Sequence, residues 1–114
     1  MTYLTPDEPL SQVVFVHDYL QLVFEDESYS IYNVAKLAGN GTEWLQGEKG
    51  FCDALVNLIG RRVKSAVSST EYPIVLNFEG GVQLQVLSGP LGARGPEAFQ
   101  FIDKNSQILV EQNA

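Results

Sequence analysis

The chain is nearly empty of the residues on which side-chain chemistry most often rests, with one histidine, His17, and one cysteine, Cys52, in 114 positions. A lone cysteine excludes an intrachain disulfide, and the pair together is too few for a histidine–cysteine zinc cluster. Basic side chains are also scarce, seven against 14 acidic ones, for a formal net charge of −7. A field of that sign repels phosphate backbones and anionic headgroups, so nucleic acid and membrane surfaces are disfavoured as partners and a basic protein surface is favoured. No apolar run approaches the roughly 20 residues that span a bilayer, and no basic-then-apolar leader opens the sequence. With the unpaired cysteine, these absences point to a soluble, acidic protein of a reducing cytoplasm.

What the chain has is alternation. Leu20, Leu22 and Phe24 followed by Glu25 reappear as Ile74, Leu76 and Phe78 followed by Glu79, and each run turns back into a second alternating strand. In the second copy, pairing Phe78 with Val82 sets Leu76 opposite Leu84 and Ile74 opposite Val86, so the apolar side chains share one face. That register needs the loop Glu79-Gly80-Gly81, the length of a type I turn closed by a left-handed residue, where Gly81 has no Cβ to clash. In the first copy, a loop Glu25-Asp26-Glu27-Ser28 would pair Phe24 with Tyr29 and Leu22 with Ile31.

The rest of one domain can be laid out around these hairpins. Residues 1–11, with Pro6 and Pro9, read as a flexible lead-in, and residues 12–114 as a single α+β domain that buries roughly two-thirds of its unfolded surface. Residues 13–16 and the turn His17-Asp18 add a strand to the first hairpin. Alternation stops over residues 35–49, where Gly39-Asn40-Gly41, Trp44 and Gly47 read as a loop or short irregular helix. Over residues 48–59, Cys52, Leu55, Val56 and Ile59 fall at helical spacing, widened by Phe51 and Leu58, and Gly60 is placed to end the helix. On that stripe Cys52 reads as a small buried thiol.

Residues 61–69 read as a strand or as a continuation of the helix, and residues 89–95 as a surface loop carrying Arg94. A closing hairpin over residues 97–103 and 108–112 is expected to pair Phe101 with Val110 and Ile102 with Leu109. The expected product is a mostly antiparallel sheet of seven or eight strands with one principal helix. One helix of about three turns cannot cover both apolar faces of the closing hairpin. Either the N-terminal meander folds over it or an identical subunit does, and a twofold homodimer is the expected solution.

Catalytic and metal readings are weak at each candidate. Adjacent strand residues point to opposite faces, so His17 and Asp18 are poorly set for a tuned general base, and Cys52 would need a base and an electropositive pocket to act as a nucleophile. Glu25, Asp26 and Glu27 bring carboxylates together without the spacing of a calcium loop and read as a charged hairpin tip. Neither glycine-rich stretch carries the Lys-Ser or Lys-Thr of a phosphate cradle. Arg61, Arg62 and Lys64 are the only basic concentration, and strand alternation would divide them between two faces. No catalytic residue, metal or cofactor is expected. The residues suited to meet a partner are Trp44, a large aromatic in a polar loop, with Arg94, Glu25, Asp26 and Glu27.

Three segments carry a resemblance: Leu58-Ile59-Gly60-Arg61-Arg62-Val63, Leu76-Asn77-Phe78-Glu79-Gly80-Gly81-Val82-Gln83-Leu84 and Pro96-Glu97-Ala98-Phe99-Gln100-Phe101. Together this C-terminal half resembles small uncharacterised bacterial α+β domains, some of them of the immunity type; Phe99 stands where those domains often have tryptophan. The resemblance implies no catalytic residues. Joined to the acidic balance, it leads to a non-enzymatic intracellular protein-binding module, immunity-like or regulatory in its sharpest form. A small ligand-binding protein or enzyme with a pocket near His17 and Cys52, and a structural homo-oligomer subunit, are the competing readings.

Overall fold

Most of the strands bury one face, and a buried apolar face requires a second layer to cover it. The computed structural model describes residues 4–113. In chain order the elements are β1 (Gln12–Val16), β2 (Tyr19–Phe24), β3 (Glu27–Ile31), β4 (Ala35–Gly39), β5 (Thr42–Leu45), α1 (Phe51–Val56), β6 (Val63–Val67), β7 (Ile74–Phe78), β8 (Gln83–Val86), α2 (Gly89–Gly92), β9 (Glu97–Ile102) and β10 (Ile108–Gln112). The strands form two five-stranded antiparallel sheets, ordered β1-β2-β3-β9-β10 and β5-β4-β8-β7-β6. The mostly antiparallel α+β class stands, but two sheets replace the single sheet of seven or eight strands, and two short helices replace the one principal helix. Alternation marks which side chains turn inward. It does not mark where the chain changes sheets, as it does between β3 and β4 and again between β8 and β9.

The hairpin echo belongs to a larger repeat. Across the first sheet, Val13, Leu22, Tyr29, Phe101 and Leu109 lie side by side. Across the second, Ala66, Leu76, Leu84, Leu37 and Trp44 do the same. The meander β1-β2-β3 thus corresponds to β6-β7-β8, and the hairpin β4-β5 to β9-β10. Each half of the chain supplies three strands to one sheet and two to the other. Phe24 and Phe78, equivalent positions in the repeat, stack on each other with ring centroids 6.5 Å apart and an interplanar angle of 26°.

The segments leading into the two meanders also meet. Leu10 N–H donates to the Arg61 carbonyl at 2.9 Å, and Gly60 N–H donates to the Leu10 carbonyl at 2.8 Å. Leu4 and Leu10 are buried in the core, and the Tyr29 hydroxyl donates to the Leu4 carbonyl. Ordered packing therefore begins earlier than the lead-in expected over residues 1–11, of which residues 1–3 lie outside the described residues. Where the two sheet-to-sheet crossings pass each other, Asn33 is fully buried and its amide donates to the Leu87 carbonyl and to Asn113 Oδ1, both at 2.8 Å. Asn113 returns a bond to Asn33 Oδ1 at 2.9 Å, which satisfies the buried amide on both sides.

Several local expectations are corrected. The β7–β8 hairpin has the expected register, Ile74 opposite Val86 and Leu76 opposite Leu84. The β2–β3 turn is instead Glu25-Asp26, with Phe24 opposite Glu27 and Leu22 opposite Tyr29, and Glu25 takes the left-handed φ of 59° that so tight a turn requires. Residues 35–49 contain the hairpin β4–β5, turned by Asn40-Gly41 with φ of 53° and 79°. The main helix is short, and its buried residues are Phe51, Leu55 and then Leu58, while Cys52, Val56 and Ile59 are exposed. A bulge between Val63 and Ser65 lets Val63 and Ala66 both face inward.

The closing hairpin is shifted by one residue, with Phe101 opposite Leu109 and Ile102 opposite Ile108. Phe99 and Phe101 are buried, so the second sheet supplies the cover that one helix could not. No helix among the described residues is long and apolar enough to cross a membrane.

Candidate functional site

One end of the second sheet carries the β4–β5 and β7–β8 turns side by side. Helix α1 packs against β4 and β5 there, and between them lies a cleft of about 350 Å³. Its walls come from the β4–β5 turn (Asn40), β5 (Trp44), the helix and the turn after it (Asp53, Asn57) and the start of the β6 approach (Arg61), with Ala54, Leu58 and Val82 as the apolar lining. Trp44 is partly buried, in the inward row beside Leu37, and packs against the core.

Two glycines make room for the two large groups. A Cβ at Gly50 would stand 3.0 Å from Cδ1 and Nε1 of Trp44, a tight contact that glycine avoids, and its φ of 95° is left-handed, where a side chain is strained. At Gly80 a Cβ would stand 2.7 Å from Arg61 Nη1, so the guanidinium lies directly over that backbone and reaches the Glu79 carbonyl at 3.5 Å. Arg61 thus lies beside the β7–β8 turn. Neither the Trp44 indole N–H nor the side chains of Asn40, Asp53 and Asn57 have a hydrogen-bond partner among the described residues. One aromatic wall, one cation, one carboxylate and two carboxamides with free polar atoms can together take hydrogen bonds from, and give them to, an incoming group. Asp53 and Arg61 make the cleft locally balanced in an otherwise acidic molecule.

The residues expected to meet a partner are spread over the molecule. Trp44 lines this cleft. Glu25 and Asp26 are exposed at the β2–β3 turn, whereas Glu27 is buried and its Oε1 accepts the Asp7 N–H at 3.0 Å, a structural task that ties the N-terminal segment down. Arg94 is exposed at the opposite end of the first sheet, beside a smaller hollow of about 220 Å³ lined by Asp18, Tyr32 and Glu97. There burial, and secondly the negative charge of Glu97, push the Tyr32 phenol above its ordinary range against a hydrogen bond from Ser30. His17 sits exposed at the β1–β2 turn of the first sheet and Cys52 exposed on α1 at the second; neither lines the Trp44 cleft. No group of three or more histidine, cysteine, aspartate or glutamate side chains among the described residues is arranged to hold a metal ion.

Sequence reasoning singled out Trp44 and missed its companions. Asp53, Asn57 and Arg61 recur every fourth residue, a polar stripe on a helical pattern, and Asn40-Gly41 is a strong turn signal. Their convergence on Trp44 depends on the β4–β5 hairpin, in a stretch whose sequence reads as a loop or short irregular helix. Set against known proteins, the chain matches no family model, no curated protein and no solved structure.

Proposed function

We propose that the protein is a non-enzymatic binding module that holds a protein partner at the Trp44 cleft, with an immunity-like or regulatory role as the sharpest form of that reading. The observation that carries it is the convergence in one cleft of Trp44, Arg61, Asp53, Asn57 and Asn40 with unspent hydrogen-bonding capacity, while His17 and Cys52 stand elsewhere. A half-buried aromatic flanked by an arginine is the composition in which interface energy concentrates. The net charge of −7 favours a partner with a basic surface and makes encounter salt-sensitive.

Trp44 is the only tryptophan, so its fluorescence reports occupancy of this cleft directly. Partner captured by the wild-type protein should perturb that emission, and Trp44→Ala or Arg61→Gln should weaken capture at least tenfold, with affinity falling as salt rises. A partner retained equally by both variants would move the site away from the cleft. The volume of about 350 Å³ also lies in the range of small-molecule sites, which favours a small polar ligand as the second reading. Quenching of Trp44 by a low-molecular-weight fraction, without protein capture, would select it.

A further inference from the structure

Two antiparallel sheets leave four edge strands, and an edge strand is a template for pairing unless something blocks it. Three of the four carry a block. β5 is four residues long and carries Glu43. β6 carries Lys64 and is kinked by its bulge, and β10 carries Glu111 with a register break after it. The fourth edge, β1, reads Gln-Val-Val-Phe-Val, with no charge, no proline and an unbroken register against β2. Phe15 is 48 % and Val16 39 % exposed on it. Residues with strong β propensity therefore line the one unguarded edge among the described residues.

We propose that β1 is a self-association edge, where the β1 of a second copy pairs antiparallel about a twofold axis through Val14 and joins two five-stranded sheets into one of ten strands. Two features select a second copy over another occupant. The chain is strongly acidic, so copies of it repel each other wherever charges face, and β1 is an edge at which no charge faces. A basic partner would find nothing there to pair with. The strand is also self-complementary in that register. Val13 meets Phe15 on the inward side, Gln12 meets Val16 on the outward side, and Val14 meets its own copy. The outward face beside it continues uncharged through Gln21, Val23, Ser28 and Ser30. The contact is isologous, so it closes as a dimer and does not propagate.

Sedimentation velocity from micromolar to millimolar protein tests this on the full chain. The wild type should pass from monomer to dimer, and Val14→Lys should raise the dissociation constant at least tenfold, because the twofold places the two lysines opposite each other. That substitution lowers the net negative charge, so general electrostatics would push the other way. Ile108→Lys, on the β10 edge of the same sheet, should leave the dimer intact. Hydrogen exchange of wild-type protein gives a readout independent of any variant: β1 amides should gain protection with concentration while those of β10 do not. A wild type that stays monomeric throughout, a dimer that survives Val14→Lys, a dimer broken by Ile108→Lys, or β1 protection that ignores concentration would each overturn the proposal, as would a monomer that accepts an unrelated strand at β1.

Discussion

Tyr32 sits at the end of β3, its ring 5.6 Å from that of Tyr19, in the hollow that also holds Glu97. Desolvation and the Glu97 carboxylate both disfavour the phenolate, so the folded protein keeps this proton at a pH where the unfolded chain has released it. A raised acid pKa contributes stability below the unfolded value and loses it as pH climbs toward the folded one. Lys104 is also raised, first through its hydrogen bond to Asp7, and titrates with the same sign. Replacing Tyr32 alone separates the two. Between about pH 9.5 and about pH 11 the melting temperature of the wild type should fall more steeply than that of Tyr32→Phe, with Lys104 common to both. Parallel slopes would mean that Tyr32 titrates normally.

Among the elements, turns decided which registers could be read in advance. The β9–β10 loop is Asp103 to Gln107, and Asp103 Oδ1 accepts the N–H groups of Asn105 and Gln107, both at 2.9 Å. With Ser106 at a φ of 63°, that carboxylate fixes a loop one residue longer than apolar pairing alone implied. Asp103→Ala should lower stability by about 1–2 kcal/mol, seen as a lower denaturant midpoint at unchanged slope. The β7–β8 hairpin is legible because two glycines leave one register that puts Ile74, Leu76, Phe78, Val82, Leu84 and Val86 on one side. The β2–β3 register is hard to read because it buries Glu27, which the distant backbone N–H of Asp7 helps make tolerable. The sequence extends helix α1 too far because Leu58 and Ile59 continue its periodicity after the backbone has left the helix at Asn57. The cleft was half legible: Trp44 stood out as an aromatic in a polar stretch, but nothing local brings Asp53 and Asn57 to it.

At the scale of the whole molecule, neither half of the repeat is a domain. β3 depends on β9, and β4 on β8, so each half holds three strands of one sheet and two of the other. Cleaving the chain at the exposed Gly47-Glu48-Lys49 turn should therefore give two fragments that are unfolded alone and recover the native circular dichroism spectrum when mixed in equal amounts. A fragment that folds as a monomer by itself would contradict this interlocking. The same exchange of strands governs the order of events at the ribosome. Ile31 must wait for Phe99, and Leu37 for Leu84, so the first half of the chain emerges long before either sheet can be closed. Long-range pairings of this kind place a domain among the slow folders, on the order of milliseconds to seconds. Residues through Gln112 must leave the exit tunnel before the first sheet is complete, and through that interval β1 and the apolar faces of its meander stand open to passing chains. A nascent protein in that state exposes apolar surface for longer than its modest size would imply.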